Sequence, residues 1–259
     1  MIERRKPLVP LFDLAAAFGL LTRLPLPRAV TGTGAGRGAA TAWAYPLVGA
    51  AVGAIQAGAL TVAVAAGLGA GPAAALALAT GVLVTGALHE DGLADTADGL
   101  WGGWDAARRL EIMKDSRIGS YGVLALVLAA LLIWSALTAI AASGAIWAPL
   151  IATGAASRAA LLLPFHLLPL ARPDGLAART GRPDRATLIW GWAVATAIAI
   201  ACLGVHGLTV LAAAGLSGLV VAQIARMKIG GQTGDILGAT QKVAEIIVLL
   251  SLAATGTPD

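Results

Sequence analysis

Seven apolar runs, each close to the length that crosses a lipid bilayer, dominate this chain and leave few folds open to it. A helix needs about 20 apolar residues to span the hydrocarbon core. The runs are Tyr45–Ala66, Pro72–Leu88, Gly122–Ala141, Ile146–Leu168, Thr187–Leu203, Leu208–Ala225 and, less clearly bounded, Val243–Ala254. The predicted fold class is therefore all-α, a polytopic integral membrane bundle of about seven transmembrane helices, within a range of six to eight.

The composition agrees with a membrane protein. Of 259 residues, 58% are hydrophobic and only 12% are charged, whereas soluble domains are about a quarter charged. We expect one membrane-embedded catalytic domain, residues 1–259, in which residues 1–40 form a cytoplasmic or interfacial N-terminal segment. Within that segment Leu8–Leu21 contains Asp13 and is short, which predicts an interfacial or re-entrant helix rather than a cleaved signal peptide. The single cysteine, Cys202, excludes a disulfide framework.

The basic residues alternate between connections and predict the topology. The connections Gly67–Gly71, Ala142–Ala145 and Gly204–Gly207 contain no Lys or Arg, whereas each of the other connections contains three or four such residues. By the positive-inside rule, the N-terminus and the charged loops face the cytoplasm. The expected location is the cytoplasmic (inner) membrane of a prokaryote. The protein therefore has uncharged connections on one side of the membrane and charged connections on the other. This arrangement favours a membrane enzyme with phosphorylated, water-soluble substrates.

An acidic motif, running from His89 to Gly99, begins where the second apolar run ends. Asp91, Asp95 and Asp98 are spaced i, i+4 and i+7, so on a helix they share one face. We expect these carboxylates to converge only around a divalent cation, and all-oxygen ligands suit Mg²⁺ or Mn²⁺. The alternative is a solvated loop beside a span. His89 is either a general base or an interfacial histidine.

Two further cationic features follow. Asp115 offers another carboxylate, while Lys114 and Arg117 beside it could hold phosphate oxygens or simply anchor a cytoplasmic loop. Arg158 lies within an apolar run, where an arginine is costly, and we expect it to act at the site rather than to snorkel to the interface.

The last loop reads Gly230-Gly231-Gln232-Thr233-Gly234-Asp235. Glycines let backbone N–H groups approach phosphates, and Asp235 could complete a metal shell. A flexible turn is the alternative. Because this loop and the acidic motif are expected on the same membrane face, we predict that they meet over one polar cavity.

These motifs resemble those of the cobalamin synthase family, the adenosylcobinamide-GDP ribazoletransferases. The resemblance covers nearly the whole chain. It is carried by Thr22-Arg23-Leu24-Pro25, by the segment His89–Gly99, by Leu110-Glu111-Ile112-Met113-Lys114-Asp115-Ser116-Arg117 and by Gly230–Asp235.

The resemblance implies a reaction. The 3′-hydroxyl of α-ribazole, or of its 5′-phosphate, attacks the corrin-side phosphorus of adenosylcobinamide-GDP, GMP leaves, and Mg²⁺ is required. This is phosphoryl transfer, in which positioning and charge neutralisation dominate. Combined with the residue patterns above, it assigns the metal ligands as Asp91, Asp95, Asp98, Asp115 and Asp235. The substrate and phosphate ligands are Lys114, Arg117, Gly230, Gly231, Gln232 and Thr233, and the catalytic residues are His89, Asp98 and Arg158. The resemblance assigns no metal-binding role to Glu90.

The expected partners are the two substrates and membrane lipid, with no nucleic acid. A homo-oligomer, or association with other cobalamin-assembly enzymes, is left open. Two other functions are considered. A phosphotransferase of the CDP-alcohol type would use a lipid alcohol, and its active site would open sideways into the bilayer. A cation-coupled transporter would carry acids at mid-span.

Overall fold

A computed structural model describes residues 10–26 and 37–255, and those residues are almost entirely helical. Of the predicted N-terminal segment 1–40, residues 1–9 and 27–36 lie outside this description. A 3₁₀ helix, Gly38–Ala44, precedes the second α-helix. The α-helices are α1 Pro10–Leu21, α2 Tyr45–Ala65, α3 Ala70–Thr85, α4 Leu88–Gly102, α5 Ala106–Ile112, α6 Ser120–Ser143, α7 Trp147–Ala160, α8 Leu162–Leu167, α9 Leu176–Thr180, α10 Arg185–Leu203, α11 Gly207–Ile229 and α12 Gly234–Thr255.

Several helical stretches are long enough to cross a membrane. Within residues 10–26 and 37–255 there are five by length and hydropathy, namely Gly38–Ala65, Ser120–Ser143, Trp147–Leu167, Arg185–Ile229 and Gly234–Thr255. The stretch Arg185–Ile229 has 45 residues. As one straight helix it would be about 68 Å long, more than twice the thickness of the hydrocarbon core. The stretch instead breaks at Gly204, and a Cβ on Gly207 would lie 2.5 Å from the Ala199 carbonyl oxygen. Helices α10 and α11 are therefore a hairpin that crosses twice.

Helices α3 and α4 form a pair bent by 90°. The bend lies at Gly86 and Ala87, whose φ angles of 63° and 56° are left-handed. Helix α3 is apolar, whereas α4 carries the acidic motif, so we place the crossing in α3 and α4 along the charged end of the bundle. With the hairpin counted as two crossings, the described residues contain seven, which is consistent with the predicted count.

Glycines allow α2 and α7 to pack with their backbones in close contact. A Cβ on Gly49 of α2 would lie 1.9 Å from the Gly154 carbonyl oxygen, and one on Gly53 would lie 2.2 Å from that of Leu150. No side chain larger than hydrogen fits at either position without moving backbone. The contact holds α7, and with it Arg158, against α2, as small residues do in lipid.

Helix α1 has 12 residues and is too short to span a bilayer. Its Asp13 is completely buried. The guanidinium of Arg37 and the indole Nε1 of Trp43 donate to that carboxylate, the second over 3.0 Å. These bonds fix α1 against the 3₁₀ helix that leads into α2.

The topology is open to a direct test with cysteine labelling. We expect Gly69→Cys and Asp105→Cys, each in a Cys202→Ala background, to react with an impermeant maleimide from opposite sides of the membrane, because only the loop at 105 lies among Lys and Arg residues. Both positions are exposed. Right-side-out and inverted vesicles give the two readings, and labelling of both positions from one side contradicts the topology.

Candidate active site

The candidate site lies where α4 crosses the beginning of α12. The acidic motif is helical, the condition under which its carboxylates were expected to share one face, since Asp91, Asp95 and Asp98 all belong to α4. A Cβ on Gly92 would lie 2.9 Å from the Asp235 carbonyl oxygen and 3.1 Å from Gly238 Cα. Glycine at position 92 therefore lets the two helices touch, and the expected meeting of the acidic motif with the last loop is present in the structure.

A cavity of about 230 Å³ opens beside this crossing. Its polar end is formed by His89, Asp91, Arg172 and Asp235. Most of the remaining wall is apolar and comes from α1, α2, α4, α8, α9 and α12. The cavity is thus amphipathic, with its charged groups gathered at one end.

Negative charge is in excess at that end. Partial burial and the nearby carboxylates of Asp91, Asp235 and Asp98 raise the pKa of Asp95 to about 7, and Arg172 opposes the rise. Within residues 10–26 and 37–255, no three His, Cys, Asp or Glu side chains stand ready-formed as a metal site. The donor set is nevertheless what a hard divalent cation prefers, namely several carboxylate oxygens that repel one another without it.

Asp98 faces a different partner from the one that its spacing suggested. Its two oxygens accept hydrogen bonds from the backbone N–H groups of Gly119, at 2.7 Å, and Gly122, at 2.8 Å. Asp98 thereby caps the N-terminus of α6, which otherwise leaves its first N–H groups unpaired. The structure gives it the role of joining α4 to α6. Its predicted roles as metal ligand and catalytic residue stay predictions.

Arg172 is the site residue that sequence reasoning missed. Its Nη2 donates to Asp235 Oδ2 over 3.1 Å, and its Nε lies 3.7 Å from Asp174 Oδ1. Its Nη1 is buried and has no hydrogen-bond partner among the described residues. In the sequence, Arg172 was only one of several loop cations, and no local pattern marks it.

Pairing between two loops places Arg172 at the cavity. The Gln232 amide donates to the Pro169 carbonyl over 2.8 Å, and the Ala171 amide donates to the Gln232 carbonyl over 3.0 Å. A Cβ on Gly231 would lie 2.5 Å from the Pro169 oxygen, so a glycine is required for this contact. The two loops therefore act as one unit that carries both Arg172 and Asp235.

The last loop, predicted to bind an anion, makes several contacts within the protein. Gly230 adopts a φ of 74° and ends α11, and its N–H is bonded to the Arg226 carbonyl. The Thr233 hydroxyl donates to Asp235 Oδ2 over 3.1 Å. The Gln232 side-chain amide is buried without a partner among the described residues. Phosphate binding by these residues stays a prediction, and the backbone serves helix termination and loop pairing.

The segment containing Lys114, Asp115 and Arg117 forms ion pairs with protein carboxylates, and Lys114 shares Asp174 with Arg172. Lys114 Nζ lies 2.5 Å from Asp174 Oδ2. Hydrogen bonds from Arg117 lower the pKa of Asp115 to about 2, and Asp115 is not among the carboxylates that raise the pKa of Asp95. All three side chains are exposed. Their predicted metal and phosphate roles are not tested by this arrangement, in which they pair with protein charges.

A buried ionic network lies behind the cavity, between α4, α7 and α12. Lys242 Nζ lies 2.7 Å from Glu90 Oε1 and 2.7 Å from Glu245 Oε2. Arg158 is 3% exposed, so it lies inside the bundle. Its Nη1 donates to Ser157 Oγ over 3.3 Å, and its catalytic role stays a prediction.

His89 connects this network to the cavity. It lines the cavity, is 2% exposed, and neither ring nitrogen has a hydrogen-bond partner among the described residues. Burial, together with the cations Arg158 and Lys242, lowers the pKa of His89 well below its usual range. The imidazole is therefore neutral at pH 7 and keeps a lone pair to accept a proton.

Comparison with known proteins places the chain in a family. Residues 13–253 match the sequence model of the cobalamin-5-phosphate synthase family. The chain is 47% identical to adenosylcobinamide-GDP ribazoletransferase from Bradyrhizobium diazoefficiens over 216 residues, which cover 82% of each chain. The protein of the same name from Rhizobium etli is 43% identical over 249 residues, 93% of this chain and 96% of the relative. No solved structure matches. This multi-pass membrane protein belongs to the cobalamin-5-phosphate synthase family.

Proposed function

We propose that this protein joins α-ribazole, or its 5′-phosphate, to adenosylcobinamide-GDP with release of GMP, and that it requires Mg²⁺ or Mn²⁺. It acts in the cytoplasmic membrane, with its site facing the cytoplasm. Relatives that are 42–47% identical carry the name adenosylcobinamide-GDP ribazoletransferase. The observation that carries the proposal is the convergence of Asp91, Asp235 and Arg172 on one cavity at the charged end of the bundle.

The reaction makes one bond and breaks another at phosphorus. The ribose 3′-oxygen bonds to the corrin-side phosphorus, the bridging P–O bond of the pyrophosphate breaks, and its electron pair leaves with GMP. The hydroxyl proton must go to a base. Since little covalent chemistry is left for the protein, its task is to neutralise and orient the phosphates.

The carboxylates fit a divalent cation. Asp91, Asp95 and Asp235 would hold it, because they are hard oxygen donors whose mutual repulsion a cation relieves. When bound, such a cation neutralises phosphate charge as a Lewis acid. The predicted ligands Asp98 and Asp115 are tested in the same way, by substitution.

Two further residues complete the assignment. Arg172 has a free guanidinium nitrogen at the cavity and binds phosphate oxygens, which arginine holds as a planar fork. His89, neutral and unpartnered, accepts the proton of the 3′-hydroxyl. Both roles use nitrogen atoms, Arg172 Nη1 and the His89 ring nitrogens, that have no hydrogen-bond partner among the described residues.

Purified protein in detergent or nanodiscs gives the direct test. GMP release should require adenosylcobinamide-GDP, α-ribazole and Mg²⁺ together, with the corrinoid product identified by mass spectrometry. GMP release without a nucleoside acceptor would indicate hydrolysis. Incorporation of a labelled lipid alcohol would indicate a phosphotransferase of the CDP-alcohol type.

The network at Lys242 bears on the transport alternative. A cation-coupled transporter needs acids at mid-span that exchange ions. The two acids of this network, the partly buried Glu90 and the buried Glu245, both contact Lys242. A fixed internal cation already neutralises part of their charge, which favours a structural role for them.

Arg172 is predicted to matter through its shape as well as its charge. We expect Arg172→Lys to lower kcat/KM for adenosylcobinamide-GDP at least tenfold, about 1.4 kcal/mol, because an ammonium cannot bond Asp235 and a phosphate as a fork does. Arg179→Lys, at an exposed position of α9, is the matched control and should remain at wild-type activity. Wild-type kinetics for Arg172→Lys would show that Arg172 does not bind the phosphate groups of the substrate.

A further inference from the structure

The cavity has an apolar end that the phosphoryl-transfer chemistry leaves without an occupant. Side chains from six helices form it, and none of the principal ones is charged: Leu20, Tyr45, Leu88, Phe165, Leu176 and Leu237. Phe165 is 1% exposed and Tyr45 is 3% exposed, so this wall is fixed by the core of the bundle. The same cavity is also lined by Asp91, Asp235 and Arg172, which lie close to one another.

We propose that this apolar end binds the dimethylbenzimidazole base of the nucleoside substrate. The ribose of that nucleoside then extends to the polar end, where its 3′-hydroxyl reaches His89 and the acids. This inference rests on the proposed function, and it specifies which of the two substrates enters the helix bundle. The corrinoid half stays outside the cavity and presents only its pyrophosphate to Arg172.

Size separates the two substrates. A volume of about 230 Å³ lies below the range of roughly 300 to 1,000 Å³ that is typical of pockets for whole drug-sized ligands. A bicyclic base with two methyl groups fits such a volume. A corrin macrocycle with its amide side chains is several times larger than a bicyclic base and does not fit.

The chemistry of the wall separates the two bases. Guanine carries a carbonyl, a ring N–H and an amino group along its edges, and each loses hydrogen bonds when buried against an apolar wall. Around the apolar end, the side-chain polar groups are the hydroxyls of Tyr45 and Thr180. Dimethylbenzimidazole has methyl groups at its outer edge and gains from burial. The apolar end therefore favours the ribazole base over the guanine of the other substrate.

A matched pair of leucines tests the site. Leu176 lines the cavity and is 47% exposed, whereas Leu167 does not line it and is 48% exposed, so both can be truncated without opening the core. We expect Leu176→Ala to raise the KM for α-ribazole about fivefold to tenfold, with the KM for adenosylcobinamide-GDP unchanged. Leu167→Ala should change neither. A rise in the corrinoid KM alone, or no change in either KM, overturns the inference.

The preference between two nucleoside bases is a second measurement, and it would not change if the cavity residues had only a structural role. Ala177 is 4% exposed and lines the cavity, so Ala177→Leu narrows it. Wild type should prefer α-ribazole over the nucleoside of unmethylated benzimidazole by about tenfold in kcat/KM, and Ala177→Leu should reduce or reverse that preference. If this variant is too unstable, the same ratio measured in Leu176→Ala should also fall.

The two failures are distinguishable. If wild-type protein releases no GMP with either nucleoside, the proposed function fails. If wild type is active but selectivity for the methyl groups is the same in all variants, the function stands and the base binds elsewhere. Incorporation of a lipid alcohol that Leu176→Ala weakens would assign the apolar end to a lipid chain and overturn the inference.

Discussion

Turnover by the Asp91→Asn variant should fall roughly a thousandfold, about 4 kcal/mol, because an amide cannot supply the negative oxygen that a divalent cation needs. The same loss is expected for Asp95→Asn. The measurement is GMP release at saturating α-ribazole, at several Mg²⁺ concentrations. Membrane insertion and thermal stability should remain unchanged, since neither carboxylate makes a hydrogen bond that holds the fold among the described contacts.

Glu111→Gln is the matched control for that experiment. Glu111 is an exposed carboxylate on the same charged face, 2.7 Å from Arg108. Exposed ion pairs contribute little to stability, so this variant should behave as wild type. An Asp91→Asn enzyme with near wild-type activity at ordinary Mg²⁺ would show that the acidic motif does not hold the metal. Partial recovery of Asp91→Asn at high Mg²⁺ would support weakened metal binding.

The largest effect on stability is expected at Lys242. Substitution by Met should lower the free energy of unfolding by about 3–5 kcal/mol, because it removes the cation that the partly buried Glu90 and the buried Glu245 both contact. Unfolding in a mixed-micelle denaturant titration measures this loss. Arg226→Met, at an exposed position one helix earlier, should cost little.

A compensated variant separates charge from packing. Adding Glu90→Gln to Lys242→Met removes one carboxylate and leaves Glu245 near the buried Arg158, so the charges of the network balance again. We expect most of the lost stability to return, because the cost of breaking a buried pair comes mainly from the uncompensated charge. If the double variant is as unstable as Lys242→Met, the network contributes through the packing of the lysine side chain instead.

The features that were predictable from sequence are those that depend on local pattern. The length of the apolar runs predicted the crossing helices, and the i, i+4, i+7 spacing indicated which carboxylates would share a face if their segment was helical, as it is in α4. What could not be predicted depends on contacts between distant segments. Asp98 has the spacing of a ligand, but its hydrogen bonds are to Gly119 and Gly122 at the start of another helix.

Arg172 is a residue whose place at the site could not be predicted from the sequence around it. Nothing around it in the chain differs from an ordinary basic loop. It becomes a site residue only because residues 169–171 pair with Gln232, a contact that neither loop sequence encodes alone. Glycine patterns were similarly ambiguous. Gly231 was expected near an anion, and the structure shows that it lies against the Pro169 carbonyl oxygen.

The pairing of those two loops also bears on how the molecule is made. Chains are synthesised from the N-terminus, so α4 enters the membrane long before α12, which carries Asp235 and Lys242. Until α12 is inserted, Glu90 lacks its lysine, Arg172 lacks its carboxylate partner, and the cavity has one wall missing. The site is thus completed by the last of the helices that the structure describes, and a nascent or truncated chain without α12 carries the whole acidic motif in an unfinished cavity.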